Sequence, residues 1–96
     1  MADAIERFSI TGRVQGVFYR KWAQANAKGL GLRGYVRNMA DGSVECVLAG
    51  PKDRLDAFAE AALAGPPDAR VDGVKRSPAS EDDLPKGDGV EIAADG

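Results

Sequence analysis

Apolar and polar positions alternate over residues 5–11, where Ser9 separates Phe8 from Ile10. This two-residue period predicts a strand that Gly12 closes. Residues 13–19 read as a loop built around Gly16. The period then changes. From about Arg20 to Lys28, Trp22, Ala23, Ala27 and Leu30 fall on one helical stripe, and Gly29 and Gly31 are stop signals. A second strand is predicted over 33–39, a tight turn at Ala40-Asp41-Gly42, and a third strand over 43–49. Gly50 reads as the N-cap of a second helix with Pro51 at its first position. Leu55, Phe58, Ala59 and Ala62 follow the i, i+3, i+4, i+7 rule until Gly65-Pro66-Pro67 ends the run. Residues 69–76 predict a less regular strand, in which Val71 and Val74 are out of step and Gly73 marks a bulge. Residues 77–89 lack a period and predict a mobile loop. Val90 and Ile92 allow a short last strand at an edge.

The order β-α-β-β-α-β predicts a ferredoxin-like α/β sandwich, with one antiparallel sheet, both helices on one face and right-handed crossovers. The whole chain, 1–96, reads as a single domain. In that topology the first and second strands are parallel and the third returns between them. Their C-terminal ends therefore share one edge with the 13–19 loop and the first helix N-terminus. Val36 is apolar and expected to face the helices, so Asn38, two residues on, points the same way.

Composition narrows the chemistry. There is no histidine among the 96 residues, which removes Ser-His and Cys-His nucleophile systems and imidazole-bound zinc. The single cysteine, Cys46, has no internal disulfide partner and alternates with Val44 and Leu48 as a small core residue. Glu81-Asp82-Asp83 reads as a solvated run rather than a metal site. No metal and no cofactor are expected. The net charge of −2 and a pI near 5.0 argue against binding nucleic acid or anionic lipid. Met1-Ala2-Asp3-Ala4 leads into charge instead of a long apolar run, and no stretch approaches the roughly 20 apolar residues of a membrane span. A cytoplasmic monomer is expected.

A glycine-containing turn that runs into a helix N-terminus presents backbone N–H groups to an anion. Arg20 stands in the first turn of that helix, where the helix dipole disfavours a cation. The placement makes sense if the guanidinium meets a bound anion. The plainer alternative is pairing with a surface carboxylate or extension into solvent. Asn38 likewise reads either as a site amide or as a turn-flanking residue bonded to its own backbone. Trp22 reads as core or as a wall of the site. The loop is not a Walker loop, because no Lys-Ser/Thr pair follows Gly16. Gly29-x-Gly31-x-x-Gly34 has dinucleotide-fingerprint spacing in the wrong context, after a helix and before a strand.

Gly12-Arg13-Val14-Gln15-Gly16-Val17-Phe18-Tyr19-Arg20 resembles the acylphosphatase signature G-x-V-x-G-V-x-[FY]-R. The run from Gly31 through Gly34-Tyr35-Val36-Arg37-Asn38 to Gly42-Ser43-Val44-Glu45 resembles the family's second signature, G-[FYW]-[AVC]-[KRQAM]-N followed by a turn and a G-x-V strand. Similarity continues through Gly50-Pro51 and Gly65-Pro66-Pro67 to about residue 76. The resemblance implies hydrolysis of a small acyl phosphate to carboxylate and inorganic phosphate. It implies that Val14, Gln15, Gly16, Val17, Phe18, Tyr19 and Arg20 cradle the phosphoryl group and that Arg20 binds it. It further implies that Asn38 orients the attacking water, and that inorganic phosphate or sulfate occupies the same site. Three departures stand out. Met39 replaces a frequent hydroxyl residue, Phe18 is bulkier than usual, and the last strand lacks the usual aromatic. Two alternatives remain: a non-catalytic binding or regulatory domain of the same fold, and an RNA-binding module using Tyr35 and Arg37 on the face away from the helices.

Overall fold

The structure, a computed structural model, describes residues 3–96. Met1 and Ala2, which begin the segment read for a leader, lie outside the described residues. The elements are β1 (Ala4–Arg13), α1 (Tyr19–Gly29), β2 (Arg33–Asn38), β3 (Val44–Gly50), α2 (Lys52–Ala64), β4 (Arg70–Pro78), a short 3-10 turn (Glu81–Asp83) and β5 (Val90–Ile92). The sheet order is β4-β1-β3-β2-β5. β1 pairs antiparallel with both β3 and β4, and β3 pairs antiparallel with β2. The ferredoxin-like order read from the pattern is present.

One feature of the sheet differs from the expectation. β5 runs parallel to β2, so the sheet is mixed at that edge rather than wholly antiparallel. The cause is the route of the chain. β4 closes one edge and β5 the other, so residues 79–89 must cross the full width of the sheet. They cross the face away from the helices. On the way Asp83 pairs with Arg7 of β1 at 3.3 Å and Glu81 with Arg33 of β2 at 2.9 Å. The segment read as a loop over 77–89 therefore contributes its first two residues to β4. It also carries the 3-10 turn, whose Ser80 N–H donates to Asp83 Oδ2 at 3.0 Å.

Both helices lie on the opposite face, α1 over β2 and β5, α2 over β4 and β1. Alternation explains what they cover. Phe8 and Ile10 of β1, Val36 of β2, and Val44, Cys46 and Leu48 of β3 all project into one buried cluster. The helices add Tyr19, Ala23 and Ala27 from α1 and Leu55, Phe58 and Ala62 from α2. Phe8 meets Phe58 edge to face at 5.2 Å between ring centres. Trp22 is only partly buried and leans on Tyr19 at 5.4 Å.

Local signals landed within a residue or two. Gly50 stays in β3, opposite Ala4, and Pro51 is the N-cap of α2 with extended angles. The bulge in β4 falls beside Gly73: Thr11 pairs with Gly73 and Gly12 with Val71, which leaves Asp72 as the extra residue. Gly34 is a strand residue with φ 148°, and a Cβ there would strike the Val47 carbonyl. Close strand approach, not nucleotide binding, accounts for it.

Candidate active site

The loop between β1 and α1 is held by side chains that point away from its concave side. Val14 and Val17 are buried in the core. Tyr19 is buried, and its hydroxyl donates to the Ala62 carbonyl at 2.7 Å, tying the start of α1 to α2. Gln15 Nε2 donates to the carbonyls of Met39 and Ser43 at 2.8 and 2.9 Å, which fastens the loop to the β2–β3 hairpin. Between these anchors, Gly16 has φ 74° and Phe18 has φ 64°. Left-handed residues at alternate positions turn successive N–H groups toward a common side. None of the backbone N–H groups of residues 15–18 donates a hydrogen bond to another described group. The first turn of α1 adds N–H groups that have no partner within the helix.

The loop opens on a cavity of about 330 Å³. Of the residues singled out in the sequence, Val14, Gly16, Phe18, Tyr19, Arg20 and Asn38 line it. Gln15 and Val17 do not; they brace the loop from behind. Lys21 and Ile92 line it as well and were missed. Lys21 was legible only as the residue after Arg20. Ile92 required knowing that β5 pairs beside β2.

Asn38 ends β2 on the same face as Val36, as alternation predicted. Its side chain takes no part in the turn. Asp41 does that work, accepting from Ser43 N at 2.9 Å and Ser43 Oγ at 2.6 Å. Those bonds hold the Asp41 carboxyl below its usual range. Asn38 Oδ1 is buried and accepts no hydrogen bond from any described residue. A buried acceptor without a partner is uncommon and calls for a reason. Arg20 extends from the first turn of α1, and its Nη1 lies 3.4 Å from Asp95 Oδ1. A surface carboxylate partner is thus present. The pair is long and exposed, so it is worth little and leaves most of the guanidinium donors open.

The face away from the helices is differently occupied. Glu45 accepts from the Tyr35 hydroxyl at 2.6 Å and from Arg37 Nε at 3.0 Å, and Arg7 Nε lies 3.3 Å away. Burial, reinforced by the bond to Glu45, pushes Tyr35 up to about 12. The residues that suggested an RNA platform are therefore consumed in an internal network, and the 79–89 crossing lies over the same face. Cys46 is buried and its thiol pushed up by that burial. Among the described residues no three Cys, Asp or Glu side chains gather into a metal-binding group.

A family model described as acylphosphatase matches residues 6–94 of the chain. The chain belongs to the acylphosphatase family. An acylphosphatase of Rhodospirillum rubrum is 50% identical over 76 residues, which span 79% of this chain and 84% of that protein. Solved acylphosphatase structures are similar throughout. That from Coxiella burnetii superposes with a TM-score of 0.86 at 28% identity, covering 96% of this chain and 94% of the other. That from Bacillus subtilis gives 0.84 at 32% identity, covering 93% and 97%. All the residues that line the cavity fall within the span of the acylphosphatase family match.

Proposed function

We propose that the acylphosphatase reaction of this chain, hydrolysis of a carboxyl–phosphate anhydride to carboxylate and inorganic phosphate, runs on Arg20, Asn38 and the 14–20 loop. One observation carries the reading. Arg20 and Asn38 come from separate elements and line one cavity, together with a loop whose 15–18 N–H groups are free to donate.

The chemistry matches that inventory. Phosphoryl transfer demands positioning and charge stabilisation more than covalent participation. The loop N–H groups and the Arg20 guanidinium bind the non-bridging oxygens, and the guanidinium does so with two parallel donors. The Asn38 side-chain amide, which lines the cavity, orients the attacking water in line with the bond that breaks. The leaving group is a carboxylate whose conjugate acid has a pKa of about 4, so it departs without a proton. A phosphoryl oxygen accepts the proton of the attacking water, and no histidine is needed. Inorganic phosphate, the product, and sulfate compete for the same cradle. Among the described residues no helix is long and apolar enough to cross a membrane, and the single cysteine is buried. The buried, unpaired Cys46 calls for no oxidising compartment, in keeping with a cytoplasmic location.

The test separates the two side chains. Asn38→Ala should lower kcat for benzoyl phosphate by roughly 10²-fold or more, the effect of removing one preorganised transition-state contact. The inhibition constant for phosphate should barely change, because the loop and Arg20 are untouched. A large rise in that constant with kcat preserved would overturn the assignment. Loss of thermal stability with turnover kept in the folded fraction would instead make Asn38 a structural amide.

A further inference from the structure

Two cations, Arg20 and Lys21, line the cavity, and no described Asp or Glu does. They follow one another in the first turn of α1, which holds no acidic residue. The helix dipole disfavours a cation at that end, so two in succession call for an anion to offset them. Adjacent helical residues project in different directions, so the two side chains flank the cavity from separate sides. The fold gives them unequal partners. Asp95 Oδ1 lies 3.4 Å from Arg20 Nη1 and brings a negative charge to the rim. Lys21 is exposed and forms neither an ion pair nor a side-chain hydrogen bond with any described residue. Other surface lysines, such as Lys28 and Lys86, are unpaired too, but among the described residues only Lys21 borders this cavity. Without it the charges of Arg20 and Asp95 cancel, in a chain whose net charge is −2.

We propose that Lys21 is a specificity-determining residue, the cation that makes the site prefer a doubly charged phosphoryl group over a singly charged anion. The inference rests on the phosphoryl-binding reading of Arg20 and the loop. A phosphoryl group with one ester-like bond has a second pKa of about 6 and is mostly dianionic at neutral pH. Arg20 grips its oxygens by direction, with a planar fork. Lys21 adds an ammonium on a flexible stem, which acts as a point charge and reads the amount of charge instead of the shape. Coulomb energy scales with the charge of the ligand, so the lysine favours a dianion twice as strongly as a monoanion.

The test uses sulfate and perchlorate, tetrahedral oxyanions of one shape that differ by one charge, as competitive inhibitors of benzoyl phosphate hydrolysis at fixed pH. At low ionic strength Lys21→Gln should raise the inhibition constant of sulfate about tenfold and that of perchlorate about threefold. Lys21→Arg, which keeps the charge, should restore both. The difference between the wild type and Lys21→Gln should vanish near 1 M salt, where the screening length is about 3 Å. KM for benzoyl phosphate should rise while kcat holds, because the phosphoryl group is charged in both the ground and transition states. An unchanged sulfate constant in Lys21→Gln overturns the proposal. An equal rise for both anions, or a rise that persists in high salt, also overturns it and makes Lys21 a shaper of the cradle. Failure of sulfate to compete with substrate in the wild type removes the phosphoryl-binding reading itself, and the selector with it.

Discussion

Arg20 stands where the helix dipole resists a cation, and its single weak ion pair to Asp95 does not explain the choice. A lysine there would keep the charge and lose the planar fork. Arg20→Lys should therefore reduce kcat/KM for benzoyl phosphate by roughly 10²-fold, with the melting temperature close to wild type. Steady-state kinetics beside a thermal scan checks both halves. Gln15 offers a different case. Its place in the loop was legible from the signature, but its task was not, because only the folded chain brings Met39 and Ser43 to its amide. Gln15→Leu removes one of the two donors that each of those part-buried carbonyls accepts from, because the Gly42 and Met39 N–H groups keep the other bond. Urea denaturation should show a loss of about 1 kcal/mol. Turnover should fall as well, since the bond couples the loop to the hairpin bearing Asn38.

Among the elements, α2 shows how far a periodic pattern goes. Leu55, Phe58 and Ala62 were read as one stripe and are the buried residues of the helix. Phe58 fills the space between α2 and β1 against Phe8. Phe58→Ala should cost about 3–5 kcal/mol by chemical denaturation, and kcat per folded molecule should hold, because the residue lies apart from the cavity lining. The stripe could not reveal β5. Val90 and Ile92 are too few to show a period, and their strand exists because they pair beside β2. Ile92 entered the cavity unannounced for the same reason. The 79–89 crossing was illegible on similar grounds. Its Glu81 and Asp83 look like any acidic run until Arg33 and Arg7 lie beneath them.

Over the whole molecule, two bulk properties follow. No metal-binding group of side chains occurs among the described residues, so chelation with EDTA should leave phosphate release unchanged in a benzoyl phosphate assay. Alkaline stability should respond to Tyr35. An unfolded tyrosine titrates near 10, and Tyr35 in the fold near 12. Between those values the unfolded chain has released a proton that the folded chain keeps. Stability is thus undiminished below pH 10 and falls as pH rises toward 12. Tyr35→Phe should flatten part of that fall in denaturant midpoints taken at pH 8, 10 and 11. Tyr19, raised by burial in the same direction, sustains the remainder. The sheet order also has a consequence for how the chain is made. β1 leaves the ribosome before the other strands, yet its neighbours are β3 and β4, and its register pairs Glu6 with Pro78. Phe8 and Ile10 wait on a strand with two open edges until β3 follows, and with one open edge until β4 does. Such edges invite pairing with other chains, and distant partners slow folding relative to a helical bundle of this size. The newborn chain thus passes through a stage at which chaperone protection would matter more than anything in the finished core.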